Sequence, residues 1–229
     1  MPTPSPATLA VFLVIVAFVV LAPVIAGVHA VPPERRGKTM RIGLTAATAW
    51  LVLTGLPIGL GLITAQNAFP AMPIFLLACF AIALIFAFSR AGGAIAQHTP
   101  LWALVGFQAF RLPLEIVLHL WHGEGVMPVQ MTWSGANIDV ISGIVALLLA
   151  PAAQRSRVAA WVAGCVGFGL LLNVIRVAIT SMPTPLQSFP EPLVAPFYMP
   201  INYIASVCVV GALVGHMLLF RRLLQRPQD

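Results

Sequence analysis

Apolar positions along this chain fall in long unbroken runs. They do not follow the two-residue alternation of half-buried strands or the narrow stripe of a water-facing helix. Seven runs emerge, roughly Ala7 to Ala30, Arg41 to Thr64, Pro70 to Phe88, Leu101 to His122, Asn137 to Ala152, Val158 to Thr180 and Ala195 to Phe220. About 20 helical residues cross a hydrocarbon core ~30 Å thick, and only helices or closed barrels satisfy their backbone hydrogen bonds inside it. The pattern therefore predicts an all-α, polytopic membrane bundle of about seven transmembrane helices. It forms one domain over residues 1–229, with no internal repeat and no long connection.

The first run ends in Gly27-Val28-His29-Ala30, a passable small-x-small cleavage site. However, Met1 to Pro6 carry no positive charge and the run is longer than the 7–15-residue core of a secretory signal. The expectation is a retained membrane helix.

Composition agrees with the runs. Of 229 residues, 60% are apolar and 8% charged, against about 45–50% and 25% in soluble domains, so a water-soluble globule is excluded. The net charge of +6 does not make a nucleic-acid binder, because the chain has only twelve basic and six acidic residues, and most of the basic ones sit in short segments between apolar runs. Cys79, Cys165 and Cys208 all lie within apolar runs, without the spacing of a disulfide framework or a zinc site. They read as small packing residues.

The distribution of charge predicts orientation. Arg35, Arg36, Lys38, Arg41, Arg90, Arg155, Arg157, Arg221, Arg222 and Arg226 all occupy alternate connections, whereas 1–6, 65–69, 123–136 and 181–194 hold no Lys or Arg. The positive-inside rule then places the N-terminus outside and the C-terminus in the cytoplasm. Eleven arginines against one lysine, with abundant Ala, Val, Gly and Pro, suit a GC-rich bacterial genome. The expected location is a bacterial inner (plasma) membrane.

Polar side chains inside the runs are the candidate chemistry. A charge within hydrocarbon costs ~2.5–3.5 kcal/mol on insertion scales, so such residues face protein or an aqueous cavity and are paired. In the fourth run Gln108, Arg111, Glu115, His119 and His122 fall within an arc of about 80° at 100° per residue. Pro113 favours a kink between Arg111 and Glu115. In the sixth run Gly169, Asn173, Arg176 and Thr180 share a face about 60° wide. The direction of the chain puts Asn137, Asp139 and Asn202, with Gln66 and Asn67, at the same outer level.

Two readings of this set stand side by side. Arg111 with Glu115 and Arg176 with Asp139 make two structural ion pairs that hold the bundle together. Alternatively, the surplus of histidines and amides marks an outward-facing site. His216, His29 and His98 read as ordinary packed or interfacial residues, and His119 and His216, on opposite halves, do not suit a bis-histidine haem. No Walker A, H-E-x-x-H or G-x-S-x-G motif occurs. The sequence points to no metal and leaves any cofactor unknown.

The outer arrangement resembles the exosortase/archaeosortase family of multi-pass transpeptidases, which carry a Cys-Ser-Gly motif at the start of one helix, Asn-x-x-Arg near the end of the next and a histidine on the one after. Here Trp133-Ser134-Gly135 precedes the fifth run and Asn173-Val174-Ile175-Arg176 ends the sixth. Trp133 stands at the nucleophile position, and the seventh run begins with Asn202 and no histidine. The resemblance thus implies a related scaffold retaining Arg176, without thiolate catalysis.

The leading expectation is binding or transport of a small polar or anionic molecule. Arg111 and Arg176 would contact the anion, Glu115 and His119 would be proton-linked partners, and Asp139, Asn137, Asn173, Gln108 and Asn202 would complete the pocket. The alternatives are a membrane enzyme acting on a lipid-linked or secreted substrate, with His119 as general base oriented by Glu115, or a structural partner subunit. The bilayer is the expected partner, with no nucleic acid; protein partners are left open.

Overall fold

The computed structural model describes residues 2–225. Nine α-helices lie among them: α1 Pro6–His29, α2 Pro33–Gly59, α3 Ala68–Phe88, α4 Arg90–His98, α5 Leu101–Phe107, α6 Arg111–Gly123, α7 Val140–Ala153, α8 Arg157–Ser181 and α9 Val210–Leu224. A 3₁₀ turn, Gln108–Phe110, joins α5 to α6, and a π-helical segment, Ile204–Val209, leads into α9. No strand is present among the described residues.

Six helices are long and apolar enough to cross a membrane: α1, α2, α3, α5 and α6 taken together, α8, and Ile204–Leu224. Their outward faces agree with a lipid setting. Val14, Leu53, Leu77 and Ile85 on these helices, and Leu148 on the shorter α7, are each 66–71% exposed, an apolar surface far larger than soluble monomers present to water.

The bundle has two distinct ends. At one, Ser5 meets Glu124 and Gln130 donates to the Glu191 carbonyl. At the other, Arg221 donates to the carbonyls of Ala87 and Ser89, and Arg157 to that of Leu223. Ser5, Ser89 and Ser156 cap α1, α4 and α8 with their hydroxyls, each accepting one of the N–H groups that a first helical turn leaves free.

Several elements differ from the sequence reading. α2 begins at Pro33, not Arg41, because proline suits the first helical position and Glu34 favours the N-terminal dipole. The basic residues 35–38 are therefore exposed helix and not loop. Residues 90–98, expected as a connection, form α4, which buries Gly92, Ile95 and Ala96. The fifth run yields only the 14 residues of α7, about 21 Å long at 1.5 Å per residue, because Asn137 Oδ1 accepts from the Asp139 N–H and holds that stretch in a turn. The seventh run becomes helical only at Ile204, after Pro196 and Pro200 have broken the chain into turns. Arg226, counted with the basic C-terminal residues, lies outside the described residues.

α7 packs on α5, α6 and α8, and α9 on α3, α4, α5 and α8. Small residues let these backbones approach: a Cβ on Gly143 would collide with the backbone of Leu112, and one on Gly211 with Val19. The main core cluster includes Phe12, Leu118, Trp121, Leu171 and Ile201. The rings of Phe12 and Trp121 meet edge to face at 5.1 Å.

Candidate functional site

The site is built where α6 begins. Pro113 has no N–H to give to the turn before it and its ring crowds the carbonyl four residues back; the chain tightens into the 3₁₀ turn over Gln108–Phe110 just ahead of Arg111. The helical path changes to 3₁₀ about one turn before Pro113, where the sequence favoured a kink. Arg111 is twelve residues from Gly123, the last residue of α6, about 18 Å along the axis. It is 1% exposed.

At that depth the guanidinium is almost fully bonded. Nε donates to Asp139 Oδ2 at 2.6 Å and Nη2 to Asp139 Oδ1, while Nη1 donates to the Gly167 carbonyl at 2.8 Å and to His216 Nε2 at 3.2 Å. Four of the five N–H groups of an arginine are thereby used. Asp139 stands at the N-terminus of α7, where its Oδ1 also accepts from the Ser142 hydroxyl at 2.9 Å.

Glu115, one turn beyond Arg111, is bonded differently. Asn137 Nδ2 lies 2.9 Å from each of its oxygens and also donates to the Met131 carbonyl at 3.1 Å. Asn137 joins the two carboxylates, because its Oδ1 holds the Asp139 backbone. Arg111, Glu115, Asn137, Asp139 and Ser142 are all buried.

Neither of the two ion pairs envisaged from the sequence forms. Arg111 pairs with Asp139 and not with Glu115, since the N-terminus of α7 offers both carboxylate oxygens to the planar guanidinium fork. Arg176 is exposed near the end of α8 and donates to Asn173 Oδ1 at 2.9 Å. Five residues from the helix end, its long side chain reaches polar surroundings without a carboxylate. It lies outside the buried cluster, and Asn173 donates to the Ala136 carbonyl at 2.9 Å.

The other candidates are dispersed. The rings of His119 and Trp133 stack at 4.1 Å and 15°, and the buried His119 Nδ1 has no hydrogen-bond partner. No hydrogen bond joins His119 to Glu115 among the described residues. Gln108 donates to the Ala212 carbonyl at 3.1 Å, and Asn202 to that of Thr54 at 3.1 Å, tying the turn before Ile204 to α2. His122 faces the Met127 carbonyl, and Asn67 bonds within its own loop.

His216, read from the sequence as a packed or interfacial residue, is packed, and its bond to Arg111 is what that reading did not foresee. This residue is fully buried, bonded to Arg111, and flanked by Phe168 and Phe220. Gly167 makes room for it: a Cβ there would press on the imidazole. Gly167 on α8 is the glycine that faces this imidazole, whereas Gly211 and Gly215 on α9 face Val19 and Phe107 with Gln108.

Beside the cluster lies a chamber of about 260 Å³, bounded by α3, α6, α8 and residues 204–212 and reaching the loops at 127–131 and 184–196. Leu77, Phe80, Leu118, Leu171, Ile175 and Cys208 typify its almost wholly apolar wall, which Arg111, Glu115 and Asp139 interrupt. α3 and α8 both line the chamber, and each packs along α9 more closely than along the other. No group of His, Cys, Asp or Glu side chains suited to a metal is found among the described residues.

No protein-family model, no curated protein and no solved structure matches this chain.

Proposed function

We propose that this chain binds an amphipathic molecule of the bilayer, whose apolar part occupies the chamber and whose polar end meets Glu115 and the Arg111–Asp139 pair. The single observation that carries this reading is the chamber's composition, an apolar wall with one buried ionic cluster set into it. Ligand pockets are of this kind, mostly apolar with a few placed polar groups. An apolar cavity of about 150 Å³ accepts benzene, so the larger volume here suits a segment of an acyl or prenyl chain. A small free anion is less well served, because Arg111 has its donors engaged within the protein and Arg176 is on the surface.

We place the chamber in the outer half of a bacterial inner membrane, with seven crossings, the N-terminus outside and the C-terminus in the cytoplasm. In support, Arg90, Arg155, Arg157, Arg221 and Arg222 belong to one end of the bundle, and α7 supplies the seventh, shorter crossing. An exosortase-like scaffold acting on a lipid-linked substrate is the second reading. It is favoured by the hydrogen bond from Asn173 to Ala136, which joins the two segments that carry the resemblance.

The test is retention. Protein extracted gently and analysed by native mass spectrometry is expected to hold a long-chain molecule, and Ala178→Phe, which fills the chamber from α8, is expected to lose it. Equal retention by both proteins, or none by the wild type, rejects the proposal.

A further inference from the structure

The same chamber specifies the polar end of its occupant, an inference that rests on the reading of it as a binding site. Its wall holds one cation and two carboxylates. Arg111 is bound to Asp139, Gly167 and His216, with one N–H left over. Asp139 accepts both donors of the Arg111 fork, and the Ser142 hydroxyl is shared between its Oδ1 at 2.9 Å and its backbone carbonyl at 2.7 Å.

Glu115 is different. Its two oxygens offer about four lone-pair sites, and the one atom that donates to them is Asn137 Nδ2, which also serves the Met131 carbonyl. The cluster is therefore rich in acceptor capacity and poor in donors. A carboxylate or phosphate entering here would meet two carboxylates and a guanidinium already paired. An N–H or O–H donor would meet an under-bonded carboxylate.

We propose that the occupant is a long-chain amphipath with a hydrogen-bond-donating head, an amine or a hydroxyl, seated on Glu115. Hydrogen bonds to buried charged groups are among the stronger ones.

The experiment uses the whole protein in phosphatidylcholine nanodiscs and three photoactivatable alkyl-diazirine probes of equal chain length, ending in a primary amine, a hydroxyl or a carboxylate. After irradiation, labelling of chamber peptides containing Leu171, Ile175 and Cys208 is divided by labelling of the lipid-facing peptide with Leu147 and Leu148. The amine or the alcohol, or both, are expected to exceed the acid about tenfold, and whichever leads identifies a cationic or a neutral donor.

Glu115→Gln, which brings a donor of its own, is expected to abolish that preference. Equal chamber labelling by all three probes, a lead for the acid, or an unchanged preference in Glu115→Gln overturns the assignment of the head while leaving the chamber as a binding site. If no probe labels the chamber, the underlying reading falls with it. Should Glu115→Gln fail to assemble, the order of the three probes on the wild type decides alone.

Discussion

His216 Nε2 stands 3.2 Å from Arg111 Nη1 across 105 residues of sequence. An arginine has only donors, so Nε2 is the acceptor and the ring proton resides on Nδ1. The imidazole thus fastens α9 to the start of α6 at the level where the guanidinium is buried. His216→Leu is expected to keep the shape of the site and remove that acceptor, lowering stability by about 1–3 kcal/mol. Unfolding of the purified variant in detergent measures it, and an unchanged midpoint would mean that the contact carries no weight.

The two carboxylates are expected to behave differently. Asp139→Asn takes the counter-charge from a buried guanidinium, a loss of ~3–5 kcal/mol. Glu115→Gln disturbs hydrogen bonds with one amide and is expected to cost about 1 kcal/mol. The double variant Arg111→Met with Asp139→Leu, which removes both charges, should recover much of what Asp139→Asn loses. Equal destabilisation by the two single variants would show that Glu115 also neutralises Arg111.

Glu124 governs a pH-dependent contact at the N-terminal end. Its carboxylate accepts from the Ser5 backbone N–H at 2.9 Å and the Ser5 hydroxyl at 2.7 Å, with Thr8 at 3.4 Å. These bonds, that from the Ser5 N–H first, hold its pKa below the ordinary 4.5. A lowered folded-state pKa gives stability that is complete above the unfolded value and is lost as pH falls through the folded one. Thermal midpoints of wild type and Glu124→Gln should therefore differ by a constant amount near neutrality and converge below about pH 4.5. A gap that persists in acid contradicts this.

Orientation is checked in intact cells. With Cys165 replaced by alanine, a cysteine at Gln187 is expected to react with an impermeant maleimide, and one at Gln154 only after lysis. Both positions are exposed, at opposite ends of the bundle. The opposite labelling order would invert the proposed topology.

The long apolar helices were legible because burying a backbone in lipid demands unbroken runs, and α1, α3 and α8 follow their runs within two residues. Shared helical face and depth likewise brought Arg111, Glu115 and Asp139 together. Pairing was not legible, because whether Arg111 turns toward Glu115 on its own helix or toward Asp139 on another depends on the 3₁₀ turn ahead of it. The partnership of His216 with Arg111 was hidden for a related reason. With the last helix taken from Ala195, the histidine fell near the inner end, whereas a start at Ile204 puts it twelve residues in, the same distance that separates Arg111 from Gly123.

The brevity of α7 reaches beyond the protein. Leu147 and Leu148 are open to lipid, yet the helix that bears them is about a third shorter than the hydrocarbon core is thick. With α7 as the proposed seventh crossing, lipids along this flank are expected to thin locally, at a fraction of a kcal/mol per ångström of mismatch, whereas those beside the longer α1 and α3 are not. A bundle so placed would pucker its surrounding bilayer on one side, and membrane thickness would become a variable to which the depth of Asn137 and Asp139 is tied.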